Sequence, residues 1–169
     1  MPRVYTYKTR ARTKHADQGH YQCSKCQEDI LPGQERYEWS FRYGGTNRRH
    51  VSCGMPRQSE LTQSKMAQVY AATEAVEDLL ATDFEEDDLR SALETAVEEI
   101  RQVVSEYEEA AEHFGGEGEN AERASELDGY ADEIERVDVT EYVQDDRSKD
   151  EWRDELRSEV ESALSQCPY

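Results

Sequence analysis

The sequence predicts an α+β protein: a small strand-bearing module at the N-terminus, followed by an acidic all-α hairpin or bundle. Three observations carry this. Residues 36–43 alternate between aromatic and polar types, the period of a strand. Residues 89–114 repeat apolar side chains in steps of four and three, the period of a packed helix. Charge divides the same way. Residues 1–58 hold 11 Lys and Arg against 5 Asp and Glu, a net +6, and residues 59–169 hold 9 against 34, a net −25.

Taken in order, Val4 to Tyr7 is β-branched and aromatic and reads as a short strand. Residues 8–19 read as a basic connection. In 36–43, Tyr37, Trp39, Phe41 and Tyr43 fall on one face, and Arg36, Glu38, Ser40 and Arg42 on the other. Gly44-Gly45-Thr46-Asn47 is a turn signal, and Arg48 to Val51 reads as the returning strand. Pro56 suits a first helical turn, so a helix is expected over 57–80 with Met66, Val69, Tyr70, Val76 and Leu80 inward. Thr82-Asp83-Phe84-Glu85 has capping-box spacing and opens a helix over 83–114. Its stripe of Leu89, Leu93, Ala96, Ile100, Val103, Tyr107, Ala110 and Phe114 is widened by Val97, Val104 and Ala111, which favours a bundle over a thin two-stranded seam. Gly115-Gly116 ends it. Asn120 is the expected cap of a helix over 120–136, with Ala124, Leu127, Ala131 and Ile134 inward. Ser148-Lys149-Asp150-Glu151 is a second capping box, opening a helix over 149–166 that buries Trp152, Leu156, Val160 and Leu164.

Apolar residues are 36% of the chain and charged residues 35%, so narrow helical cores are expected and one large core is not. No apolar run approaches the 18 residues or so of a membrane span, and the basic start has no apolar stretch after it, so a cytoplasmic setting (or a host's cytoplasm) is expected. In that setting clustered cysteines favour a metal over a disulfide.

The cluster is Cys23-x2-Cys26, then 23 residues, then His50-x2-Cys53. Two residues between ligands let each pair fold as a tight knuckle, and two pairs complete the tetrahedron that zinc prefers. A site closed by four protein ligands has no place for a reacting water, so one structural zinc ion is expected. A module of about 55 residues is marginal without such help. The plainer alternative is three free cysteines and a histidine spaced by chance. His20, three residues before Cys23, could replace one ligand. His15 and His113 have no partner at ligand spacing, and Cys167 stands alone.

The string from Cys23-Ser-Lys-Cys26 through Ile30, Gly33 and Arg36 to His50-Val-Ser-Cys53 resembles the zinc finger of poly(ADP-ribose) polymerases and DNA ligase III over residues 21–56. The resemblance implies a treble-clef-like fold, binding to DNA ends or breaks, and a place for Arg36 near the DNA backbone. The span between ligand pairs is shorter here, and Arg49 stands where that family has an aromatic before the histidine. The spacing also fits the first half of a LIM domain, though no second ligand set follows Cys53.

Cations surround this module. Lys8, Arg10, Arg12 and Lys14 form an arm, and Arg36, Arg42, Arg48, Arg49 and Arg57 lie around the expected hairpin. Guanidinium groups match phosphate oxygens in pairs, so Arg10, Arg12, Arg36, Arg42, Arg48 and Arg49 are candidate nucleic-acid contacts within residues 1–58. The aromatic stripe reads first as the module's small core, and where its rings are exposed they could stack on bases. Glu94, Glu98, Glu99, Glu108, Glu109 and Glu112 lie mainly off the apolar stripe. They read as a solvated face, as an adaptation to salt, or as a surface for a basic protein partner. No phosphate loop, nucleophile elbow or zincin helix is present, so no enzymatic activity is expected. Two functions follow. One is a zinc-finger protein that binds nucleic acid and self-associates or docks a partner through its helices. The other is an acidic interaction or inhibitor protein that mimics nucleic acid, similar in style to viral or phage accessory proteins.

Overall fold

The computed structural model describes residues 4–8, 21–31, 33–42, 44–113, 115–140 and 149–168. The chain forms two compact units, Met1–Ala67 and Gln68–Tyr169.

The first unit holds strands β1 (Tyr5–Lys8), β2 (Tyr21–Gln22), β3 (Asp29–Ile30), β4 (Glu35–Ser40) and β5 (Thr46–His50). β1, β4 and β5 form an antiparallel sheet in that order, and β2 and β3 form a separate hairpin. The β4–β5 register pairs Arg36 with His50, Tyr37 with Arg49, Glu38 with Arg48 and Trp39 with Asn47. Facing residues of an antiparallel pair share a side of the sheet. One side therefore carries Arg36, Glu38, Arg48 and His50, and the other Tyr37, Trp39 and Arg49. Trp39 is buried, as expected of a core aromatic. The strand stops at Ser40, earlier than the alternation predicts. Phe41 follows it half-buried, with its carbonyl accepting the Gly44 amide (3.3 Å), and Tyr43 lies outside the described residues.

The helix expected from 57 starts later. Ser59–Leu61 is a single 3-10 turn and Thr62 is extended, with φ −118° and ψ 133°. Glu60 explains the interruption. Its carboxylate accepts the Arg57 amide (2.9 Å) and clasps Arg49, which holds 59–61 as a turn inside the first unit. The segment 59–67, grouped with the helical region by charge, thus packs with the N-terminal unit.

The helices are α1 (Met66–Leu80), α2 (Glu86–Glu112), α3 (Glu119–Glu135) and α4 (Lys149–Leu164). The inward residues expected of α1, α3 and α4 are all buried. In α2 the broad stripe is buried from Leu89 to Val104, with Ala111 beyond it, whereas Tyr107 and Ala110 are half-buried. α2 packs along α3, and Arg101 of α2 pairs with Asp132 and Glu135 across the turn between them, so the two form an antiparallel hairpin. α3 also packs on α4.

The caps differ from expectation. The Thr82 hydroxyl donates back to the Leu79 carbonyl (2.7 Å) and so closes α1, and Glu85 stands at the N-cap of α2 without a side-chain cap. Gly118, at φ 102°, precedes α3 in place of Asn120. Ser148 and Phe114 lie outside the described residues. The Gly115-Gly116 stop holds: both have positive φ, and the Gly116 amide donates to the Ala111 carbonyl (2.9 Å). Among the described residues no helix is long and apolar enough to cross a membrane.

Candidate metal centre

The β2–β3 hairpin carries the first candidate ligand pair, Cys23 and Cys26. Its turn is closed by the Cys23 amide donating to the Glu28 carbonyl (2.8 Å) and the Gln27 amide to the Cys23 carbonyl (3.0 Å). Gln27 takes a positive φ of 62°, unusual outside glycine, and its side-chain amide donates to the Ser24 carbonyl (3.1 Å). The second pair sits where β5 passes into the 3-10 turn Val51–Cys53. There Gly54, at φ 83° and ψ 164°, donates to the Val51 carbonyl (3.1 Å). The two knuckles are tied by the Ser24 amide donating to the Arg48 carbonyl (2.8 Å).

These connections bring Cys23, Cys26, His50 and Cys53 together, with their ligand atoms all within 4.8 Å of one another. Cys23 Sγ and Cys53 Sγ are 3.9 Å apart, and Cys26 Sγ and His50 Nδ1 are 3.5 Å apart. Zinc bonds of about 2.3 Å to sulfur and about 2.0–2.1 Å to nitrogen, at tetrahedral angles, give edges of roughly 3.8 Å and 3.5 Å. The donor set and its spacing therefore fit a tetrahedral metal ion. The sulfur separation is far beyond a disulfide bond, and all three thiols are free. Cys23 and His50 are buried, Cys53 is half-buried and Cys26 is exposed.

The thiols pull against one another. Burial pushes Cys23 up, but hydrogen bonds from the Cys26, His50 and Lys25 amides, helped by the Cys26 thiol, outweigh it and bring the pKa down to about 6. Burial pushes Cys53 up as well, and the neighbouring Cys26 and Cys23 add to it, reaching about 11. The Cys23 and Cys53 sulfurs, 3.9 Å apart, ionise together only if a cation neutralises them. Of the other histidines, His15 and His20 lie outside the described residues, and His113 is exposed at the end of α2. Cys167 belongs to the second unit.

The candidate nucleic-acid arginines do not form one surface. Arg36 and Arg48 lie on the His50 side of the sheet. Both donate through Nε to the same Glu38 oxygen (3.2 and 3.1 Å), and both guanidinium groups sit over the Tyr21 ring, at 5.2 and 3.9 Å from its centroid. Arg49 points to the opposite side. It is 2% exposed, lies over Trp39 and is held by both oxygens of Glu60, so it is a core residue of the first unit. Arg42 is exposed, and Arg10 and Arg12 lie outside the described residues. Glu38, Glu60 and Tyr21 are partners that the sequence reading does not supply. Glu38 was detectable, since it shares strand parity with Arg36, but nothing local marks Glu60.

Comparison of the chain with family models, curated proteins and solved structures gives no match.

Proposed function

We propose that the N-terminal unit is a treble-clef-type zinc finger and that the protein is a non-enzymatic nucleic-acid-binding protein. The finger reading is supported by the order of parts: a knuckle hairpin with two candidate thiol ligands, then the β4–β5 hairpin ending in His50, then a single 3-10 turn ending in Cys53. A zinc ion there would be structural, since four side chains fill its coordination shell.

One observation carries the nucleic-acid reading: the charge division coincides with the structural one. Met1–Ala67 holds 12 Lys and Arg against 6 Asp and Glu, whereas Gln68–Tyr169 holds 8 against 33. At physiological salt each exposed charge acts within a Debye length of about 8 Å, so phosphate would be drawn to the cationic unit by that unit's own nearby charges. The test is fluorescence anisotropy of labelled oligonucleotides with the zinc-loaded full chain. Binding is expected at about 50 mM salt and should weaken linearly in log–log form as salt rises, by a slope of roughly 0.7–0.9 per phosphate contact. No binding at the lowest salt overturns the reading.

A second reading has its own support. Glu38 and Glu60 take up three arginines of the first unit, while the exposed Glu94, Glu98, Glu108, Glu109 and Glu112 make no ion pair among the described residues. Such a surface suits a basic protein partner. Capture of a basic protein that survives nuclease treatment would favour it over the first.

A further inference from the structure

The charge division does not say which form of nucleic acid the N-terminal unit takes. We propose that a cleft beside the end of β4 receives one unstacked base of a single strand, with Phe41 as the stacking ring and Gln63 reading the base edge. This rests on the nucleic-acid reading above.

The cleft has a volume of ≈ 520 Å³ and lies within the first unit between residues 40–42 and 61–64. That falls in the range of roughly 300–1,000 Å³ typical of small-ligand sites, large enough for a base with its sugar. Its apolar lining is Phe41 and Leu61, both half-buried. Its polar lining includes Gln63 and Ser64, which are exposed and whose side chains make no hydrogen bond among the described residues. The β4–β5 turn shapes the wall. A Cβ at Gly44 would stand 3.0 Å from Gln63 Nε2 and 3.3 Å from Phe41 Cβ, so the turn, the amide and the ring lie close together here.

These parts match a base. A carboxamide offers a donor and an acceptor side by side, the pattern that pairs with a base edge. An aromatic ring stacks on a base only where the base face is open, which duplex stacking prevents. Arg42, exposed beside Phe41, carries the charge to meet the adjoining phosphate. A cleft for an apolar peptide side chain would not need the unengaged amide and hydroxyl.

The test uses the zinc-loaded full chain with a labelled single strand of about 15 nucleotides, near the upper site size of one binding module, and the matching duplex at low salt. The single strand should bind roughly tenfold more tightly or better. Phe41→Ala should weaken it by roughly tenfold or more, the scale of one lost stacking contact. Phe41→Trp should restore binding, with its emission quenched by the oligonucleotide, and Gln63→Ala should weaken binding several-fold with zinc content unchanged. If Phe41→Ala loses zinc, the Phe41→Trp and Gln63→Ala variants carry the test. Equal binding of both forms, with no quenching and no effect of Gln63→Ala, overturns the base cleft and leaves the nucleic-acid reading standing. No binding of either form overturns both.

Discussion

The two units reach stability by different routes. In the described part of the first, the buried apolar residues are Ile30, Trp39, Pro56 and Met66, beside the candidate ligand Cys23. The second buries an apolar stripe along each of four helices, from Val69 to Leu164. Among the described residues a core that small offers little against the entropy of ordering them, so we expect the first unit to depend on a few strong contacts of demanding geometry. The second spreads its stability over many weak ones. One should therefore fail as a whole when a single contact goes, and the other should weaken by increments.

The largest expected effect is metal removal. Structural zinc in small fingers contributes on the order of 10–16 kcal/mol of apparent binding free energy. A strong chelator, or Cys23→Ser, should therefore abolish the β-sheet amide signals of the first unit while the helical circular dichroism of the second persists. Simultaneous loss of both would break the contrast. Next, Leu156→Ala, at a fully buried site of α4, should cost about 2–5 kcal/mol and lower the helical melting transition without altering zinc content.

Glu60→Ala leaves the Arg49 charge buried and uncompensated, and should cost about 3 kcal/mol in the first unit, at the low end for such pairs because Glu60 is partly exposed. The pair also predicts a pH signature. Burial pushes the Glu60 carboxyl up, but the Arg49 hydrogen bond, the Arg57 amide and the Arg49 charge outweigh it and hold its pKa below the ordinary carboxylate value. A pKa lowered by folding gives stability that is full above the unfolded value of about 4.3 and is lost as pH falls through the folded one. The stability gap between the wild type and Glu60→Gln should therefore narrow as pH falls below about 5, read by denaturant titration. The smallest effect is Gly54→Ala. Its φ and ψ lie in a region essentially reserved for glycine, so the cost should be about 1–3 kcal/mol, seen as weaker zinc retention against a competing chelator.

The sequence revealed most where cause and effect lie close together along the chain. The α2 stripe from Leu89 to Val104 could be read because helical period alone decides which side chains turn inward. The convergence of Cys23, Cys26, His50 and Cys53 could be read because Cys-x2-Cys and His-x2-Cys are local knuckles. Arg49 was misplaced with the surface arginines although strand parity with Tyr37 and Trp39 put it on the core side, since its compensating partner, Glu60, lies 11 residues on in a segment expected to be helical. Thr82 and Asn120 had the chemistry of caps, but Thr82 found a nearer acceptor in Leu79, and the left-handed Gly118 took the position before α3. The two-residue strands β2 and β3 are too short to show a period at all.

What matters most is whether one metal ion holds the first unit together. Native mass spectrometry of the purified full chain, repeated after chelation and joined to amide spectra of residues 21–67, tests this most directly. One zinc per chain, lost on chelation together with the dispersed signals of β4 and β5, is the predicted result. A metal-free protein with those signals intact would contradict it.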